Sequence, residues 1–73
     1  MINEEIRVME EELKKYYMEW LRYLGPDAKY EDWLFGRYHG FARCFALVLR
    51  ARGINAEEYC ERLCREAQGL PTK

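Results

Sequence analysis

A chain of 73 residues, 49% of them apolar and 15% aromatic, is one domain, and a domain this small buries only roughly 60% of the surface its unfolded chain exposes. Its formal net charge of −1 supplies no global field that would draw it to nucleic acid or to an anionic membrane surface. The longest apolar run, Cys44 to Leu49, has six residues, against the about 20 that a membrane-spanning helix needs, so no membrane association is expected.

Met1 leads directly into an acidic amphipathic segment, without the basic n-region and apolar h-region of a secretory signal. Three cysteines, an odd number, suit a reducing compartment better than a disulfide framework. A cytoplasmic protein with reduced, metal-free cysteines is the expectation.

The first predicted helix spans residues 4–24. Ile2, Ile6, Met9, Leu13, Tyr16, Tyr17, Trp20 and Leu24 recur at three- and four-residue steps and form one stripe. Asn3 is placed to cap it, Glu4 and Glu5 sit where the helix dipole favours anions, and Gly25-Pro26 stops it. Asp27 caps a second helix over residues 28–52, with Glu31 and Asp32 in its first turns and Gly53 in the left-handed position that ends it. Asn55 with Glu58 makes a capping box, and Ile54 with Tyr59 occupies the staple positions around it. The third helix therefore covers 56–68, closes at Gly69 and leaves a tail through Pro71. A connection of a few residues between the first two helices dictates an antiparallel hairpin. The third helix, apolar along Ala56, Tyr59, Cys60, Leu63, Cys64 and Ala67, is too short to cover that hairpin. The chain 1–73 thus reads as a single all-α domain, a long hairpin plus a shorter helix, whose uncovered surface invites a second copy; a homo-oligomer is expected.

The second helix carries the most information. At about 100° per residue, Leu34, Tyr38, Phe41, Phe45, Val48 and Leu49 share the arc that packs on the first helix. Beside it runs a strip of Trp33, Gly36, Gly40, Cys44, Leu47 and Ala51. Each interior glycine costs about 0.8 to 1 kcal/mol against alanine, so something must offset them: tight packing inside the monomer, a symmetric contact between subunits through Gly36, Gly40, Cys44 and Leu47, or a ligand against bare backbone.

Charge is segregated along the chain. Residues 33–53 carry four arginines and no acid, whereas every other segment is net acidic. His39, Arg43 and Arg50 fall within about 40° of one another, and Arg37 lies on the far side. The stripe is a solvated face, or pairs with acids of the first helix such as Glu10 to Glu12, or is an anion site in which arginine forks grip phosphate or carboxylate while Trp33 or a tyrosine stacks on a base. The candidate ligand-binding set is therefore Trp33, Arg37, His39, Arg43 and Arg50.

Catalysis and metal binding find less support. The single histidine has no nucleophile at a defining spacing, and Cys60, Cys64 and Cys44 include no CxxC pair. No enzymatic activity, metal or cofactor is expected. The segment from the second helix through Gly53-Ile54-Asn55 to the third is similar in outline to a helix-turn-helix, but its recognition helix would present Glu57, Glu58, Glu61 and Glu66 against Arg62 and Arg65, which phosphates repel. Nucleic acid is not the expected partner. In size and style the chain is similar to compact accessory proteins of phages and mobile elements, anti-CRISPR and other anti-defence proteins among them. That likeness implies a binding protein that blocks a protein surface or sequesters a nucleotide signal, and the segregation of charge adds the expectation that its partner is an anionic small molecule or an acidic protein surface.

Overall fold

Side chains that satisfy free backbone groups decide where two of the helices begin. The computed structural model describes residues 4–70 and contains α1 (Glu4–Arg22), α2 (Ala28–Ala51) and α3 (Ala56–Gln68); Ile2, Asn3 and Pro71 lie outside the described residues. Asp27 Oδ1 accepts from the Lys29 and Tyr30 amides at 3.0 and 3.2 Å, and Asn55 Oδ1 from the Glu58 amide at 3.2 Å, satisfying donors that the first turn leaves unpaired. Both α2 and α3 end in the same way, on a left-handed glycine, Gly53 at φ 75° and Gly69 at φ 76°. The Ile54 amide reaches back to the Leu49 carbonyl at 3.0 Å, and the Leu70 amide to the Arg65 carbonyl at 2.9 Å, which is the six-to-one bond of a Schellman stop.

α1 stops at Arg22, two residues short of the periodicity-based boundary. The Tyr23 amide closes a tight turn onto the Trp20 carbonyl at 3.2 Å, and the Tyr23 ring folds over Gly25, where a Cβ would come within 2.6 Å of the hydroxyl. That hydroxyl accepts from the Asp27 amide at 3.1 Å. Leu24 consequently leaves the apolar stripe and is 95% exposed, so it belongs to the turn and not to the core. α2 ends at Ala51, one residue early, because Arg52 has left helical geometry at φ −103°.

α1 and α2 form the antiparallel hairpin, and α3 runs beside α1 in the same direction. Successive links fix that direction: Glu5 with Arg52 at 3.3 Å, Glu10 with Tyr59, Lys14 with Glu66 at 3.8 Å, and Tyr17 with Gln68. Ile6 and Leu13 of α1, Phe45 and Leu49 of α2, and Ala56, Tyr59 and Leu63 of α3 make the core between the three helices. The hairpin outruns α3. Past Gln68, α1 and α2 pack through rings instead: Trp20 stacks on Tyr38 at 5.9 Å and 4°, and meets Phe35 at 4.9 Å. Leu34 is buried yet lies outside the main cluster. No helix among the described residues is long and apolar enough to cross a membrane.

Candidate functional site

α3 docks on the arc of α2 that holds Ala42 and Ala46, and their small side chains leave a shallow open hollow of about 200 Å³ beside it. His39, Arg43 and Arg50 form its α2 wall, Ala42 and Ala46 its floor, and Ala56, Glu57 and Cys60 its α3 wall. The stripe picked out by spacing is therefore brought to one place. The α3 contribution had no signal in the α2 periodicity. Only the Gly53 stop, which swings α3 back against Arg50, brings Glu57 and Cys60 there.

Arg43 and Arg50 form no ion pair among the described residues. The expected partners, Glu10 to Glu12, lie on α1, which packs on a different side of α2; Glu10 instead accepts from the Tyr59 hydroxyl. The other two arginines of the basic segment are spent within the chain, Arg37 on Glu19 and Arg52 on Glu5 at 3.3 Å. The His39 ring is held by stacking on Phe35 at 5.6 Å. Burial, and then the neighbouring Cys64, push the Cys60 thiol up, while the Arg50 guanidinium pulls it back, so the cationic wall is felt across the hollow.

Trp33 and Arg37 are not part of this hollow. The Arg37 guanidinium is sandwiched between the rings of Tyr16 at 4.2 Å and Trp33 at 4.7 Å, paired with Glu19, and leaves its buried Nε without an acceptor. Trp33 also stacks on Tyr30 at 5.9 Å. The five candidate ligand residues thus divide into two groups whose centres stand about 120° apart around α2.

The strip between those groups is bare. Trp33 and Leu47 are 54% and 64% exposed, Gly36, Gly40 and Cys44 are exposed, and a Cβ at either glycine would meet nothing within 4 Å. Tight packing within the monomer is therefore not what offsets these glycines. Cys44, on the same strip, is exposed, whereas Cys60 and Cys64 are half-buried.

A larger hollow of about 530 Å³ runs along α3 through Ile54, Asn55, Glu58, Tyr59, Glu61, Arg62 and Arg65. Its cations are already neutralised: Arg65 pairs with Glu61 at 3.4 Å, and Arg62 with Glu66 at 3.8 Å while lying over the Tyr59 ring at 4.6 Å. This weakens α3 further as a recognition helix for phosphates. Among the described residues no group of three His, Cys, Asp or Glu side chains could hold a metal ion. No family model, no curated protein and no solved structure matches this chain.

Proposed function

We propose that this chain is a non-catalytic, homo-oligomeric binding protein that sequesters an anionic, nucleotide-like ligand at the His39, Arg43 and Arg50 hollow, the mode of action of an anti-defence accessory protein. The observation that carries the reading is that, among the described residues, Arg43 and Arg50 have no carboxylate partner and, unlike the equally unpaired Arg7 and Arg22, line one hollow together with His39. Arginine forks accept phosphate oxygens in pairs. Glu57 on the opposite wall disfavours a bare inorganic anion and suits a ligand whose other end donates hydrogen bonds, as a nucleobase does. At about 200 Å³ the hollow is smaller than the roughly 300 Å³ lower bound of small-molecule pockets, so one copy grips only part of such a ligand.

Thermal shift against linear and cyclic nucleotides tests this, since a ligand at about 100 times its dissociation constant stabilises by about 2.7 kcal/mol. The expected result is a salt-sensitive shift that Arg43→Glu abolishes, with a loss of about 2 kcal/mol or more in binding. No shift with any nucleotide, and full cellular activity of Arg43→Glu, would turn the reading toward a protein-surface inhibitor. That alternative rests on the exposed Leu24, Tyr30 and Trp33 at the hairpin end, because buried aromatics anchor protein interfaces.

A further inference from the structure

The hairpin has two broad faces, and α3 covers one of them through Glu10, Lys14 and Tyr17 of α1. On the face turned away from α3, α2 presents the bare strip and α1 presents Glu12, Lys15, Glu19 and Arg22, each set within about 80° of arc. We propose that this face docks a second copy of this chain, antiparallel, about a two-fold axis level with Gly40. The pairing deepens the homo-oligomer reading above and rests on it, but not on the anion.

Two patterns in the sequence share one centre. On α2, Gly36 and Cys44 stand four residues either side of Gly40, and Trp33 and Leu47 stand seven. An antiparallel copy therefore sets Trp33 against the partner's Leu47, and glycine against glycine at the axis. On α1 the charges alternate in sign. Lys15 and Glu19 stand two residues either side of position 17, and Glu12 and Arg22 five. An antiparallel copy sets each charge against its opposite. The two centres lie at the same height, because the Glu19–Arg37 ion pair and the Tyr16–Phe41 ring contact at 5.5 Å place position 17 beside residues 39 and 40.

The alternatives fail on the same residues. A two-fold parallel to the helices lays α2 on the partner's α1 and buries charges under the apolar strip, and a parallel contact along α2 alone opposes Trp33 with Trp33. The empty space over both glycines lets the backbones close to less than an ordinary helix spacing, which offsets the helix-propensity cost that nothing inside the chain offsets. The area is adequate. Nineteen residues of α1 give a length of about 28 Å, and two helices with axes 8–10 Å apart give a width of about 20 Å, so each copy buries on the order of 600 Å², near the lower end of stable interfaces. The two-fold leaves both α3 helices outside and brings the His39 and Arg43 stripes of both copies onto one edge, where a ligand with two anionic groups bridges them.

Sedimentation of the full chain without ligand tests the pairing. A dimer is expected at about 100 µM, weakened tenfold or more by Glu12→Arg or by Arg22→Glu alone and restored when the two are combined. Gly40→Leu should abolish it with an unchanged helical spectrum. Arg43→Glu should leave the dimer intact, which separates failure of the pairing from failure of the anion reading. A strictly monomeric chain, or a dimer indifferent to both charge reversals and to Gly40→Leu, overturns the proposal; the second result would assign self-association to the aromatic hairpin end.

Discussion

Gly40→Ala should stabilise the isolated chain. Alanine is favoured over glycine by about 0.8 to 1 kcal/mol inside a helix, and that gain is normally reduced by whatever the new methyl group displaces. At Gly40 there is nothing to displace, since among the described residues no atom beyond its chain neighbours and its own helix backbone lies within 4 Å of the Cβ position. The same holds at Gly36, so the double alanine variant should gain about 1.6 to 2 kcal/mol if the sites add. For a domain of this size each 1 kcal/mol raises the melting temperature by roughly 4–8 °C. Urea unfolding followed by far-ultraviolet circular dichroism, at about 1 µM or below so that assembly contributes nothing, reads this directly. At about 100 µM the gain should shrink or reverse, because a methyl group at the axis holds two copies apart. Destabilisation at the low concentration would refute the reasoning, since it would mean that internal packing does press on Gly40.

Phe45→Ala should cost about 3–5 kcal/mol, because the ring is 0% exposed at the meeting point of all three helices; a urea midpoint within error of wild type would show the core to lie elsewhere. Burial and then the Glu10 hydrogen bond push the Tyr59 phenol up to about 12, above its ordinary value near 10. The unfolded chain thus loses that proton first, so this stabilisation is complete below about pH 10 and is lost as pH rises through about 12, by up to about 2 kcal/mol. Urea midpoints at about pH 9 and pH 11.5 should differ accordingly. Tyr59→Phe should remove part of the slope and not all, because burial and the Cys64 contact also raise Tyr38.

What was legible in the sequence was local. Asp27, Asn55, Gly53 and Gly69 each act within a few residues of themselves, so the starts of α2 and α3 and both of their ends could be read within a residue. The core arc of α2 followed from one period, and Leu34, Phe45 and Leu49 are buried as it requires. Illegible features depended on a second helix. Tyr23 and Gly25 end α1 through a ring folded over a turn, and no periodicity announces that. The period of α2 gives the position of Arg37 on its own helix, but its partners Glu19 and Tyr16 come from α1, and their meeting depends on the hairpin register. The bare strip was visible as a strip. That no described residue packs over its two glycines follows only from which side of the hairpin α3 occupies.

The unequal lengths of α3 and the hairpin also determine how unfolding will look. Both tryptophans sit beyond the reach of α3, Trp20 against Phe35 and Tyr38 and Trp33 against Tyr30 and Arg37, whereas the one aromatic of α3 is Tyr59 in the main cluster. Indole emission is therefore an optical reporter on one end of the molecule. The rings there reach the main cluster through the partly buried Tyr38 and Phe41, so that end can open while the three-helix base keeps its ellipticity. Fluorescence would then melt ahead of circular dichroism. The gap between the two curves would measure how weakly the tip is coupled to the base, and no intermediate with rearranged helices need be invoked to explain it.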